Sequence, residues 1–450
     1  MPKLRLRRPS YEIGMHLAVM CAFANLLSHA NRQILVVLVE RINSDLQISD
    51  TQFGLLIGPS FAIAYAISTI LIADLTDARS KVRMISIGVF IWSAATFACA
   101  FVKSFEGLVI CRAFVGIGQS ILSPAAYTLL ASSYPKNKLG RISSVYATGS
   151  FLGSASVLII GGIIADQAIL QPNLELWAQF NIARWRLVFL IVGGIGLVYS
   201  LLFIALFRKT ENRLSSPSIK QYTPYPKVLL YLWQHKSCYA FYILGFSCYS
   251  VAMFSLIAWG PAFFIRQLHF SQGQAGLLLA IILSTANLSG VLLSGYFMDK
   301  LRARQINQAP LIIGATGALL TALSALFFYG AFSYQWALAW TLAAFFLCAH
   351  FSSYPIAPSA SANQIMTALA MRARSYAIFL AVNNLLAMGL GLTVVGYLND
   401  HIFNTEEAVG KALLWVIVIS ALSASLLLTL GIKPYLAKLK LNQQNQQHYL

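Results

Sequence analysis

Twelve apolar runs of about twenty residues each, separated by short polar turns, leave this chain very few ways to fold. They cover 13–38, 54–72, 84–102, 107–131, 142–165, 187–207, 238–265, 274–297, 309–330, 335–357, 373–397 and 412–432. In hydrocarbon such a segment can satisfy its backbone polar groups only as a helix or within a closed barrel. Uninterrupted apolar runs, rather than alternating ones, select the helix. The chain is 58% hydrophobic and 10% charged, whereas soluble domains carry roughly 25% charge. The expectation is an all-α, multi-pass membrane protein. Its N-terminus has the basic-then-apolar order of a signal peptide. The apolar stretch is too long and lacks a small-residue cleavage site, so it reads as the first span.

The net charge of +18 would suit a nucleic-acid binder, but its distribution argues otherwise. Loops on the side of the N-terminus hold 24 lysines and arginines and five acids. The opposite loops hold six bases and nine acids. That asymmetry is the positive-inside signal, and it places both termini in the cytoplasm, with a bacterial inner (plasma) membrane as the expected location. No nucleic-acid partner is expected. The two bases left over are Arg32 and Arg112, both inside spans, and no carboxylate lies inside any span. An intramembrane cation is costly and marks a functional site by default.

The polar loop 208–237 reads as a linker between two six-helix halves, 1–207 and 238–432, with a polar, disordered cytoplasmic tail at 433–450. Internal similarity supports the halves. "ADLTDARSKVR" follows the second span and "GYFMDKLRAR" the eighth, so Asp77 and Asp299 occupy equivalent places. An Asp there can cap a neighbouring helix and pair with bases such as Arg83 and Arg304, which would latch the cytoplasmic face. The bland alternative is ordinary loop charge. The six cysteines show neither metal spacing nor disulfide logic, and they read as small buried hydrophobes. Neither a metal nor a cofactor is expected. Nucleophile–base pairings and phosphate loops are also missing, which argues against an enzyme.

The two Asp-containing loops resemble the signature loop of the major facilitator superfamily, Gly-x-x-x-Asp-Arg-x-Gly-Arg-Arg. The first copy departs from it at Ala73, Ala78 and Ser80. "RAFVGIGQSILSP" in the fourth span is similar to the family's Arg-x-x-x-Gly-x-Gly-Glu. "AWGPAFFIRQLHFSQGQAG" and "FLAVNNLLAMGLGLTVVGYLND" look most like the spinster-like branch, with the anion–cation symporter branch second. Spinster-like members read Asn-Tyr-x-Asp-Arg in the first span, and that Asp and the fourth-span Glu are credited with proton coupling. Here Asn31 and Gln119 stand in their places, so both carboxylates are amides, while Arg32 and Arg112 match the family's arginines. The resemblance implies two pseudo-symmetric halves, a central cavity lined by the first and fourth spans, and alternating access. The amides put carboxylate-driven proton symport in doubt.

Asn25, His29 and Arg32 share one helical face, as do Arg112, Gly116, Gln119 and Ser123. A guanidinium fork suits carboxylate or phosphate. Near a helix end it is served equally well by backbone carbonyls. His29 and His350 could titrate near neutral pH or sit as satisfied structural residues. Tyr65, Tyr127, Tyr146, Tyr242, Tyr249 and Tyr354 carry polar tips, of which Tyr249 and Tyr354 are the ligand candidates. The leading expectation is a monomeric secondary transporter of a small organic anion or anionic amphiphile. Arg32 and Arg112 would bind the anionic group, and Asn31, Gln119 and His29 would orient it. The alternatives are efflux of a hydrophobic or lipid-like compound, or a non-transporting membrane receptor.

Overall fold

The computed structural model describes residues 11–78, 80–134, 139–165, 184–211, 224–368, 370–405 and 408–447, and these are helical nearly throughout. The first eight helices are α1 (Tyr11–Val37), α2 (Val39–Leu46), α3 (Asp50–Ile57), α4 (Pro59–Ala78), α5 (Lys81–Cys99), α6 (Phe105–Ser133), α7 (Leu139–Ala165) and α8 (Arg184–Glu211). Nine more follow: α9 (Tyr225–Gln234), α10 (Lys236–Arg266), α11 (Gln272–Ala303), α12 (Ala309–Ser333), α13 (Leu338–Ser352), α14 (Ile356–Met366), α15 (Arg372–Asn384), α16 (Gly391–Tyr397) and α17 (Val409–Gln447). Single π-helical turns, Leu385–Leu390 and Leu398–Phe403, flank α16.

Among the described residues ten helices are long and apolar enough to cross a membrane. The other two expected spans are helical too. One is α1, whose apolar run is interrupted by His29, Asn31 and Arg32. The other is α13, only 15 residues long, because Pro355 cannot donate a backbone hydrogen bond and the chain turns at 353–355 before α14 begins.

The chain divides into two compact units, one built from 1–46 and 63–218 and the other from 47–62 and 219–450. In the first unit α1 lies along α7, and α5 packs on α6 and α8. Without lipid-excluded water to drive helices together, close approach requires small residues. Gly149 and Gly153 provide it, since a Cβ on either would stand 2.1 Å from the carbonyl oxygen of Ala22 or Leu26. An ion pair of 3.0 Å joins Arg186 to Asp45 in this unit.

In the second unit α10 packs on α17, and α12 on α13 and α17. Val228 and Leu232 of α9 enter a core with Tyr239, Tyr242, Phe246, Leu428, Tyr435 and Leu439. Two segments read as irregular from sequence are therefore helical where described. Residues 212–223 of the linker lie outside the described residues, but α9 occupies its end. The tail continues α17 to Gln447, with 448–450 outside the described residues. Tyr435 and Leu439 give that extension an apolar stripe to bury, which the glutamine-rich sequence after it conceals.

Lys438 holds the same junction, with its ammonium 2.8 Å from His235 Nε2. Lysine can only donate, so that imidazole nitrogen accepts and the ring is neutral. Burial and the Lys438 charge lower the His235 pKa from its ordinary 6.5. The unfolded junction therefore binds the proton more readily than the folded one, and the contact loses stability as pH falls below 6.5. Protection from hydrogen exchange across 225–234, taken relative to the intrinsic rate at each pH, should fall between about pH 7.5 and about pH 5.5, and His235→Gln should remove most of that change.

Candidate functional site

In the first unit the candidate residues form one hydrogen-bonded cluster on α1 and α6. Arg32 is half-buried, and its Nε donates to Gln119 Oε1 at 2.8 Å. Its guanidinium lies over the Tyr65 ring, 5.3 Å from the centroid. Gln119 is 1% exposed, and its Nε2 donates to the Ser28 carbonyl at 3.1 Å. With its amide hydrogens occupied there, the oxygen is turned toward Arg32. An amide positions the cation as a carboxylate would, but it cannot cancel the charge.

Arg112 is placed differently. It is 3% exposed, and its Nη1 donates to the Asn31 backbone carbonyl at 3.3 Å. Asn31 is fully buried, and its side-chain oxygen accepts from Thr96 Oγ1, while its Nδ2 has no partner. Asn25 donates to the Tyr146 carbonyl at 3.0 Å and to Ser150 Oγ at 2.9 Å, which makes it an interhelical tie between α1 and α7. His29 Nδ1 stands 3.1 Å from the Asn25 carbonyl. A carbonyl only accepts, so that nitrogen carries the proton. Thr96, Ser28 and Ser150 escape a sequence reading because hydroxyls and backbone carbonyls in an apolar helix carry no distinguishing pattern.

In the second unit His350 Nδ1 lies 2.8 Å from Ser289 Oγ, and Tyr354 OH lies 3.5 Å from His350 Nε2. Asn287 Oδ1, two residues before Ser289 on α11, is buried with no hydrogen-bond partner among the described residues. Tyr249 leaves the candidate set. It is fully buried, its hydroxyl donates to the Phe351 carbonyl at 2.6 Å, and it also accepts from Thr321. It is a core residue whose polar tip is already satisfied.

The cytoplasmic latch is not assembled around Asp299. Asp299 and Arg304 both stand exposed, and among the described residues no ion pair or hydrogen bond joins them. Arg304 instead ends α11, with its backbone amide on the Leu301 carbonyl, and Lys300 lies over the Tyr296 ring. Arg83 is exposed in the first turn of α5, capped by Ser80. The Asp77 side chain lies outside the described residues.

The sequence profile of the Major Facilitator Superfamily matches residues 21–392. The chain belongs to this superfamily. It is a transporter, not an enzyme. A protein named MFS-type efflux pump from Mycolicibacterium smegmatis is 26% identical over 88% of this chain and 87% of its own length. Protein spinster of Drosophila melanogaster is 24% identical over 68% of this chain and 48% of its own. The hexuronate transporter of Bacillus subtilis is 25% identical over 54% of this chain and 55% of its own. A crystal structure of a bacterial homologue of the lysosomal transporter Spinster superposes with a TM-score of 0.76 and 20% identity, covering 96% of this chain and 98% of that one. A D-xylose–proton symporter gives 0.67 at 18% identity, covering 93% and 97%. Both share the fold.

One acid of this facilitator is buried although it lies outside every expected span. Asp50 is 5% exposed and accepts both guanidinium nitrogens of Arg266, at 2.5 and 2.9 Å. In sequence Asp50 sits within a helix-start pattern, Ser49 to Gln52, so it reads as a solvated loop acid. The structure buries it through residues hundreds of positions away.

Proposed function

We propose that this facilitator carries a small organic anion by alternating access, with Arg32 as the group that meets the anionic end. The observation that supports this most is the amide at position 119. It fixes the Arg32 guanidinium through Nε as a neutral partner that brings no negative charge of its own, unlike a glutamate. In a low-dielectric span the Arg32 charge favours an anionic guest. Arg112, buried against the Asn31 carbonyl, holds the α1 backbone beside Arg32 and adds to the positive potential. The hexuronate transporter among the relatives agrees with that chemistry. The charge asymmetry of the loops supports cytoplasmic termini in a bacterial inner membrane.

Efflux of a lipophilic compound is the second reading, favoured by the efflux-pump relative that aligns over most of the chain. Thermal unfolding of the purified protein separates the two. Glucuronate and other small carboxylates should raise the melting temperature, and their neutral sugar counterparts should not. A shift with lipophilic or neutral compounds alone would favour efflux and contradict the anion reading.

Asn31→Asp gives a sharper check. It places a carboxylate on the residue whose backbone carbonyl Arg112 contacts, next in the chain to Arg32, and supplies an internal competitor for the guest. Binding of glucuronate should weaken by about tenfold or more and become pH-dependent. Unchanged affinity at every pH would remove Asn31 from the site.

A further inference from the structure

α9 is ten residues long and apolar on more than one side. Val228 and Leu232 enter the core of the second unit. Leu229, Leu230 and Trp233 share another face, and they are 53%, 57% and 70% exposed. A helix that packed on a bundle and otherwise met water would carry polar residues there.

The position of α9 explains the second apolar face. The chain turns at His235, and α10 starts at Lys236. α10 is 31 residues long and is one of the membrane-crossing helices. At ~1.5 Å per residue it overshoots the ~30 Å of hydrocarbon by roughly one headgroup layer at each end. Its first turn therefore stands at the bilayer boundary, and α9 stands there with it.

The charge at this junction has one sign. α9, α10, α15 and α17 contain no aspartate or glutamate, and the sequence has none between Glu211 and Asp299. The cations lie on ring faces instead. Lys236 Nζ is 5.0 Å from the centroid of the Trp233 ring, and Lys438 Nζ is 4.6 Å from that of Tyr231. Lys227 is exposed at the other end of α9. Among the described residues no carboxylate pairs with Lys227, Lys236 or Lys438.

We infer that α9 is a binding site for anionic phospholipid, with Leu229, Leu230 and Trp233 in the bilayer boundary and Lys227 and Lys236 on the headgroup phosphates. An indole is most favourably placed at headgroup level, and a lysine stem beside it delivers the ammonium to the phosphate layer. A short helix with apolar residues and lysines on its outer side binds an interface through both, and the charge attraction requires an anionic lipid. A second copy of the chain fits this face poorly, because a two-fold contact would set its lysines against themselves. The inference does not depend on which solute is carried.

Amide hydrogen exchange on the full chain tests it, in vesicles of phosphatidylcholine alone and of phosphatidylcholine mixed equally with phosphatidylglycerol, at one pH. Protection across 225–234, taken relative to 309–333, should be about fivefold or more higher in the anionic vesicles, and high salt should reduce the gain. Lys227→Gln combined with Lys236→Gln should remove most of the gain and leave protection in phosphatidylcholine unchanged. Quenching of tryptophan fluorescence by chain-brominated phosphatidylglycerol should exceed that by brominated phosphatidylcholine, and Trp233→Phe should abolish the difference. Glycerol 3-phosphate added to the phosphatidylcholine vesicles should protect nothing. Four outcomes would overturn the site: equal protection in the two vesicles, a gain that survives the double lysine variant, protection by glycerol 3-phosphate alone, or a dimer that Trp233→Ser dissociates.

Discussion

Gly153→Leu should yield no monodisperse protein after extraction, whereas Gly194→Leu should purify like the wild type. Both glycines lie mid-helix, so backbone freedom does not separate them. Their surroundings do. A Cβ at 153 would stand 2.1 Å from the Leu26 carbonyl oxygen and 2.9 Å from the Leu26 Cα. These are backbone atoms of α1, which cannot rotate aside as a side chain could. A Cβ at 194 meets nothing within 4 Å, and replacing a helical glycine there even gains up to ~1 kcal/mol in propensity. Overpacking a tolerant core costs ~1–3 kcal/mol. Forcing α1 off α7 also breaks the Asn25 bonds to Tyr146 and Ser150 and displaces the face that carries Arg32. Against a total stability of ~5–15 kcal/mol, the sum should be decisive. Size-exclusion profiles of the two variants check this, and equal profiles would mean that α1 and α7 do not pack as described.

The second large effect is a division of labour between the two arginines. Arg32→Ala should lower affinity for the anion by roughly ten- to a hundredfold, the worth of one charge-assisted contact of ~1.5–3 kcal/mol. It should barely change the melting temperature, because Arg32 is half-buried and Gln119 keeps its bond to Ser28. Arg112→Ala should do the reverse first. It empties a site 3% exposed and strips a donor from the buried Asn31 carbonyl, so it should cost ~2–5 kcal/mol of stability, with weaker binding as a consequence. Arg32→Lys should rescue in part, since an ammonium keeps the charge and loses the planar fork. Paired melting and titration measurements on the three variants give the answer. A melting temperature that falls as far for Arg32→Ala as for Arg112→Ala would merge the two roles.

The fold was legible because hydrocarbon leaves the backbone so few options. Twelve apolar runs and a charge asymmetry need no tertiary information to be read as helices across a membrane. The Arg32 cluster was legible in part for the same reason, since a cation in a span stands out against leucine and alanine. Its supporting bonds were not, because Ser28 contributes a backbone carbonyl and Thr96 a hydroxyl, and neither differs locally from dozens of others. Tyr249 shows the converse error: a polar tip in a span reads as a ligand group until its hydroxyl is found on the Phe351 carbonyl. Asp50 and Arg266 were hidden by position. Each stands at a span end, where a charge is normally solvated, and only the fold brings them together across 216 positions. The continuation of α17 past the last apolar run was missed because its buried stripe, Tyr435 and Leu439, is short.

Uptake of radiolabelled glucuronate into vesicles containing the purified protein tests the central claim, transport of an organic anion through a site anchored by Arg32. The wild type should accumulate label above protein-free vesicles, an excess of an unlabelled carboxylate but not of its neutral counterpart should suppress it, and Arg32→Ala should lose most of the flux at low substrate while its melting temperature stays near that of the wild type. Carboxylate binding without any flux would make the protein a receptor, and equal flux through wild type and Arg32→Ala would contradict the account outright.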